Sequence, residues 1–412
     1  MKSLFEKIVR RYIASLLFII LLNSCRYSQK DVKEFVYKDF GGFNRIEKAA
    51  TEIDISEAKS LSYRDYIDDF VDSVYFLQLS SEELIGEITS LCIFEDRIFI
   101  LDQFLAKKVF IFNMQGGLIR AIDNQGGGPN EYLRLGRINV NEVSKELIIA
   151  DEGYPKFLHY SLDGELIRKT QTVPGFFYYS GIDDSFYNCV GYKQMKSETG
   201  EEYALLLCKD TLVLNAGFPF YPTQQDAVTS NPFNKNALGE LLYIPFLCDT
   251  VYHLFDNQCY QAKYVINQTK SLWNKKNEYL SNIDHVDLIF DNNYTSLSSD
   301  FFENNDFCCF FVNLSCKGKI LLRPYYYNKA ERETFYFDFE KIFDKTRPFK
   351  NGLYVIANPQ CVYKDYFVSS FNPIPVLNDS VLFNKHYLEI MNAADDNTNP
   401  ALIFYKFNGK YK

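Results

Sequence analysis

The sequence predicts an all-β fold: a β-propeller of six blades, with seven as the alternative count. Each blade is a four-stranded antiparallel sheet, and the N- and C-terminal strands close one blade together. Three observations point there. The first is composition: 37 Phe and 31 Tyr stand against a single Trp within 47% apolar residues, and flat rings suit a pleated sheet surface. The second is an internal repeat. EDRIFILDQFLAKKVFIFNMQGGLIR (Glu95 to Arg120) and SKELIIADEGYPKFLHYSLDGELIR (Ser144 to Arg168) share one pattern: an apolar strand ending in Asp, a short polar turn, a second apolar strand, a Gly turn and a third strand beginning Leu-Ile-Arg. Asp102 and Asp151 set the period at 49 residues. A unit of that size made of short antiparallel strands buries neither face alone and must stack on neighbours, as a propeller blade does. The third is length, since about 340 residues from Val71 onward accommodate six or seven such units.

Taken in order, residues 1–24 read as an export signal. Lys2, Lys7, Arg10 and Arg11 precede a ten-residue apolar core, Ile13 to Leu22, too short to span a bilayer, and small residues lead to a cleavage point. Leu22-Asn23-Ser24-Cys25 resembles the lipobox of bacterial lipoproteins, so Cys25 is the expected site of lipidation and of contact with the membrane. Several acyl chains there give stable anchoring at about 0.8 kcal/mol per buried CH₂. Residues 25–60 are polar and charge-mixed and read as a lipidated tether, and 61–412 as the propeller. VDSVYFLQL, Val71 to Leu79, is its first strand by its β-branched and aromatic content. After the two clear repeats come weaker units: DSFYNCVGYK with EEYALLLCKDTLVL, ELLYIPFLCDTVYHLF with QAKYVI, FCCFFVNL with KGKILLRPYYY and ETFYFDF, and GLYVIANPQCVYKDYFVSSF. Two helices are expected, over 272–282 and 379–394. ALIFYKF, Ala401 to Phe407, is the last strand, expected to share a sheet with Val71 to Leu79.

The segment DNQGGGPNEY, Asp123 to Tyr132, lies between the two repeats. A phosphate loop needs GxxxxGK[ST] leading into a helix, or GxGxxG between strand and helix. No Lys follows, Pro129 interrupts the amide array, and the flanking segments are β units, so nucleotide binding is excluded. Gly and Pro there suit an abrupt crossing between blades, with Glu131 and Tyr132 as candidate ligand contacts. The net charge of −9, without a Lys/Arg stripe, excludes a nucleic-acid partner. The four histidines, His159, His253, His285 and His386, show neither HxH nor HxxxH spacing, and no GxSxG occurs. Asx turns explain the recurrent Asp102 and Asp151. Nine cysteines beyond Cys25, an odd number, lie mostly in apolar runs, and adjacent Cys308 and Cys309 are expected on opposite sheet faces. No metal, cofactor or catalytic residue is assigned. Aromatic clusters at GFFYYS (Gly175 to Ser180) and RPYYYN (Arg323 to Asn328) read as packing between blades before they read as sugar platforms.

VYFLQL, LIGEITSL, the RIFILD and VFIFNMQGGLI strands, GGGPNEY, YIPFLCDTVYHL and FFENNDF together resemble a group of six-bladed β-propeller lipoproteins of anaerobic gut bacteria, related to the NHL and TolB-like propellers. The resemblance covers about residues 70–408. GGGPNEY is similar to that family's G-x-G-P-x-E-Y connection, with Gly126, Gly128, Pro129, Glu131 and Tyr132 in place. YIPFLCDTVYHL keeps Pro245, Asp249, Thr250 and Tyr252. The resemblance implies a fold and a cell-envelope location; it implies no reaction and no catalytic set. The expected function is a non-catalytic binding or scaffold module, lipid-anchored in the outer membrane on its periplasmic or its surface side, for a glycan, a peptide or an envelope protein. The alternatives are a propeller hydrolase or lyase acting on polysaccharide through acidic residues of the axial channel, and a structural partner of an outer-membrane transport complex.

Overall fold

The computed structural model describes residues 35–38, 41–174, 179–181, 186–190, 195–219, 231–246, 248–255, 258–271, 295–316, 319–337, 349–350, 352–356, 358–375 and 383–408. The export signal, Cys25 and the helix expected over 272–282 lie outside them.

The chain first lays down four short strands, β1 (Phe35–Tyr37), β2 (Asn44–Arg45), β3 (Thr51–Asp54) and β4 (Lys59–Leu61). A helical turn follows, α1 (Tyr63–Asp65), capped by Ser62 and continued as a π-helical turn over Tyr66–Phe70. It delivers β5 (Val71–Gln78). Six antiparallel blades come next. Blade 1 is β6 (Ser90–Phe94), β7 (Arg97–Asp102), β8 (Lys108–Asn113) and β9 (Leu118–Ile122). Blade 2 is β10 (Leu135–Asn141), β11 (Glu146–Asp151), β12 (Lys156–Ser161) and β13 (Leu166–Gln171). Blade 3 is β14 (Tyr179–Gly181), β15 (Phe186–Val190), β17 (Tyr203–Lys209) and β18 (Leu212–Pro219), with β16 (Met195–Ser197) in the loop between its second and third strands. Blade 4 is β19 (Phe233–Lys235), β20 (Leu241–Tyr243), β21 (Thr250–Phe255) and β22 (Cys259–Asn267). Blade 5 is β23 (Ser296–Glu303), β24 (Phe307–Cys316), β25 (Lys319–Asn328) and β26 (Glu333–Phe337). Blade 6 is β27 (Cys361–Tyr363), β28 (Tyr366–Phe371) and β29 (Ala401–Phe407), completed by β5.

The expected ring closure is present: Ala401 pairs with Gln78 and Phe407 with Val71, so the N-terminal strand is the outer strand of the last blade. The second expected helix appears as α2 (Lys385–Ala393), started by Asn384, whose side chain accepts from the Tyr387 amide.

Residues 35–60, assigned to the tether by sequence, take a different form, continuous with Leu61. β1 pairs in parallel with β16, Gly42 bridges to Ala216 of blade 3, β2 and β3 pair with β22, and β4 pairs with β26. The segment is a belt on the outer strands of blades 3, 4 and 5. Its composition hides this, because an edge strand with one wet face needs few apolar residues; among the described residues of the segment, Tyr37, Ile53 and Leu61 are the buried ones.

Stacking buries the core as six hydrophobic clusters, one at each junction of neighbouring blades. Phe99, Leu101 and Ile111 of blade 1 meet Leu147, Ile149 and Leu158 of blade 2, and at the closure Phe404 of blade 6 meets Phe110 of blade 1. Alternation along strands supplies both junctions of a blade: Cys308 belongs to the cluster between blades 4 and 5, and Cys309 to that between 5 and 6. Tyr325 and Tyr327 join the former and Tyr326 the latter, so RPYYYN serves packing. Glycine is required at the turn between the third and fourth strands of blade 1, where Gly116 has φ +81° and a Cβ would lie 2.1 Å from the Gln78 carbonyl.

Candidate site at the upper mouth of blades 1 and 2

In an antiparallel four-stranded blade, the link arriving from the previous blade and the loop between second and third strands share one end. We call that end the upper face. GGGPNEY lies there, as the link from blade 1 to blade 2. The structure brings its five predicted residues together, and their bonds are largely internal. The Gly128 amide donates to the Glu131 carboxylate at 2.7 Å, the Gly126 amide to the Tyr132 carbonyl at 3.0 Å and the Tyr132 amide to the Asn124 carbonyl at 3.0 Å. Lys156 donates to the Glu131 carbonyl at 2.6 Å and Lys169 to the Pro129 carbonyl at 3.3 Å. Tyr132 is fully buried, and its hydroxyl donates to the Lys107 carbonyl at 2.8 Å. The Gly128 amide that a phosphate would need is thus taken by the loop's own carboxylate. Gly126 and Gly128 do not have positive φ. A Cβ at 126 would stand 2.1 Å, and at 128 2.9 Å, from the Glu131 carboxylate, so a side chain at either position must displace it.

The repeated aspartates do more than make a local turn. Asp102 accepts the amides of Gly86 (2.7 Å), Glu87 (2.9 Å) and Leu105 (2.9 Å). Asp151 accepts those of Leu133, Arg134 and Gly153. Each pins the incoming link to its own blade, and both are buried. The residues just after them, Gln103 and Glu152, also 49 apart, meet across the junction of blades 1 and 2 at the upper face. Gln103 Nε2 donates to the Leu135 carbonyl at 2.8 Å and lies 3.5 Å from Glu152 Oε1. Arg134 Nε donates to Glu152 Oε2 at 3.0 Å, and Arg137 reaches the Thr89 carbonyl at 3.4 Å. Burial raises the Glu152 carboxyl above its ordinary range against the opposing pull of Arg134 and Arg137. Burial, then the neighbouring Asp102, raises Glu87. Sequence reasoning missed this mouth, although the repeat register that marked the aspartates also marks the positions after them.

Other polar clusters hold blades together. At the lower face, Glu303 accepts from Lys329 (2.6 Å), Tyr264 (2.6 Å), Lys263 (2.8 Å) and Asn236 (2.9 Å), tying blade 4 to blade 5. Burial opposes its ionisation, but Lys329 and Lys263 hold it below the usual carboxylate range. In blade 2, His159 lies 3.0 Å from Glu146 and 3.0 Å from the Thr170 hydroxyl, while Arg168 donates to Glu146 at 2.7 Å. His253 lies 3.8 Å from Glu240 and His386 edge-on to Phe76; His285 lies outside the described residues. Asp249, from YIPFLCDTVYHL, accepts from Gln268 at 2.6 Å and from Ser271, and burial lifts it to about 6 despite both donors. Of GFFYYS, the described Tyr179 is buried with its hydroxyl donating to the Ile148 carbonyl at 2.9 Å. Among the described residues no group of three or more His, Cys, Asp and Glu could hold a metal ion.

The fold is shared with a crystal structure described as an exported protein of Bacteroides fragilis, with TM-score 0.66 and 15% identity over 87% of this chain and 100% of that one. A member of the DUF4221 family from Bacteroides vulgatus aligns at TM-score 0.45 and 12% identity, over 83% of this chain and 99% of that one. A virginiamycin B lyase of Staphylococcus aureus aligns at TM-score 0.35 and 8% identity, over 81% and 99%. Among curated proteins none matches. The model of one family, a domain of unknown function, matches residues 50–406, and the chain belongs to that family, DUF4934.

Proposed function

We propose that the chain is a lipid-anchored, non-catalytic binding or scaffold module of a Gram-negative outer membrane, held through Cys25, and that the ring receives a glycan, a peptide or another envelope protein. One observation carries the reading: the mouth's polar groups are occupied in holding its loops. Asp102 and Asp151 each accept backbone amides, and Glu152 is bridged to Arg134 and Gln103. A general acid or base needs a group within hydrogen-bond reach of a substrate proton, and these groups face loop partners instead. Outward, the mouth presents loops, the part of a rigid scaffold suited to recognition. The exported description of the Bacteroides fragilis relative supports export.

The raised Glu87 and Glu152 carboxyls favour a second reading, a hydrolase or lyase acting on polysaccharide. A third, a structural partner of an outer-membrane transport complex, shares the same anchor. Full-length chain purified from the envelope separates them. Saturable binding on a glycan or peptide array supports the binding module. Polysaccharide turnover abolished by Glu152→Gln replaces it with the enzyme. Co-purification with a transporter, without array binding, replaces it with the structural partner. Acyl label that survives Cys25→Ala would remove the anchor.

A further inference from the structure

We infer that the upper loops of blades 1 and 2 rest on the lipid surface that carries the anchor, with Leu84, Phe104, Leu105, Leu133 and Tyr154 dipping among the headgroups. The inference rests on the anchor reading for part of its geometry and adds which face of the ring meets the membrane.

The first support is topological. β1 pairs with β16, which lies in the loop between the second and third strands of blade 3. The described chain therefore joins the ring at its upper face. Nine residues, ten steps along the chain, separate Cys25 from Phe35. At no more than roughly 3.6 Å per residue they reach about 35 Å, so the upper face lies within that distance of an anchored lipid.

The second support is independent of the anchor. Leu84 (50%), Phe104 (54%), Leu105 (65%), Leu133 (40%) and Tyr154 (49%) are exposed, and all five belong to links or second-to-third-strand loops. Their loops adjoin. A Cβ on Gly86 would lie 2.6 Å from Leu105 Cβ, and one on Gly153 2.4 Å from Leu133 Cβ, so the Leu84 loop abuts Leu105 and the Tyr154 loop abuts Leu133. Gln103, beside Phe104, joins the two pairs through the Leu135 carbonyl. At the lower face the exposed Val143, Leu212 and Leu238 are scattered over blades 2, 3 and 4. Aliphatic and aromatic tips on adjoining loops, with the exposed Lys107 among them, have the make-up of an interfacial contact. A glycan would want outward-facing hydrogen-bonding groups, whereas those of the mouth are turned onto loop partners.

The test uses vesicles of phosphatidylethanolamine and phosphatidylglycerol. Cys25→Ala protein freed of residues 1–24, which carries neither acyl group nor export signal, should float with them, and adding Phe104→Asp with Leu105→Asp should cut the bound fraction at least tenfold. Val143→Asp at the lower face should change nothing. Both altered loop residues are exposed, and an unchanged melting temperature will show that the variants fold. Lipidated chain reconstituted with brominated lipids should show quenched fluorescence for Tyr154→Trp, measured against the parent chain, and none for Leu212→Trp. The proposal is overturned if the Asp pair leaves flotation unchanged, if Cys25→Ala protein stays in the buffer, or if Tyr154→Trp escapes quenching. A photo-crosslinker at position 154 that captures a protein in place of lipid also overturns it. Flotation needs no acyl chain, so a failed anchor and a failed patch give different results.

Discussion

Among the described residues, the outer strands of blades 1 and 2 carry no further strand, whereas those of blades 3, 4 and 5 each receive part of the 35–61 belt and blade 6 takes its whole outer strand, β5, from the residues that follow. The open half is local: each blade is one contiguous stretch closed by tight turns. Its edges are guarded by charge, Arg120 on β9 bridging to Glu165 and Lys169 exposed on β13. The belted half depends on contacts far apart in sequence, such as Thr51 with Tyr264 and Lys59 with Phe335. Two solutions to the edge-strand problem thus coexist in one ring, and the belted half should depend on residues far away in sequence while the open half depends on its own turns.

The sharpest way to break this contrast is Phe70→Ala. Phe70 is fully buried between blades 5 and 6, with ring centroids 4.6 Å from Phe407 and 5.2 Å from Phe335. Its loss should cost about 3–5 kcal/mol in chemical denaturation. A cost under about 1 kcal/mol would mean that the belt and its helical turn do not hold blades 5 and 6 together.

Next comes Ile53→Ala. Ile53 is the fully buried belt residue in the junction of blades 4 and 5, and its truncation should cost about 2–4 kcal/mol. If 35–61 behaves as a tether, as its composition suggested, the denaturation midpoint will not move.

The same division explains what could be read from the sequence. The repeat was legible where strand, Asp, strand, Gly turn and strand follow within 49 residues, and Asp102 and Asp151 mark it because each must pin an incoming link. The pairing of β5 with β29 was legible because a propeller has to join its ends. The belt was not, since an edge strand alternates one buried residue with exposed ones and resembles a polar linker. Nor was the reason for Gly126 and Gly128: sequence suggested backbone freedom, and the structure shows a carboxylate filling the space where a side chain would go. The Gln103 and Glu152 pair was in the register, but only adjacency in the ring shows that two equivalent positions of successive blades meet.

A smaller effect is electrostatic and sits in the belted half. Asp249, buried and lifted to about 6 from an ordinary 3.8, binds a proton more tightly in the folded than in the unfolded chain. Between about pH 4 and 6 the folded state therefore holds more protons, and stability falls as pH rises through that window. Two units correspond to about 3 kcal/mol at most. Asp249→Asn keeps both hydrogen bonds possible in a neutral form and should flatten the urea midpoint between pH 4 and 6. Glu87 and Glu152 shift in the same direction, so the difference between parent and variant isolates Asp249, and parallel pH profiles would reject its role.

The smallest expected effect tests the open half's own device. In the link between blades 1 and 2 the Glu131 carboxylate lies against Gly126 and Gly128 and caps the Gly128 amide. Gly126→Ala would push that carboxylate away, and Glu131 is the flexible end of a side chain, so the loss should be about one hydrogen bond to a charged group, roughly 1.5–3 kcal/mol before relaxation. Because the displaced carboxylate can turn to water, a net cost of about 1 kcal/mol is expected. Glu131→Ala removes the same cap and opens space beside Gly126, so Gly126→Ala added to it should cost almost nothing further. The double-mutant cycle is the measurement. Additive costs would mean that Gly126 serves some need other than making room for Glu131, and would restore a ligand contact at this loop as its explanation.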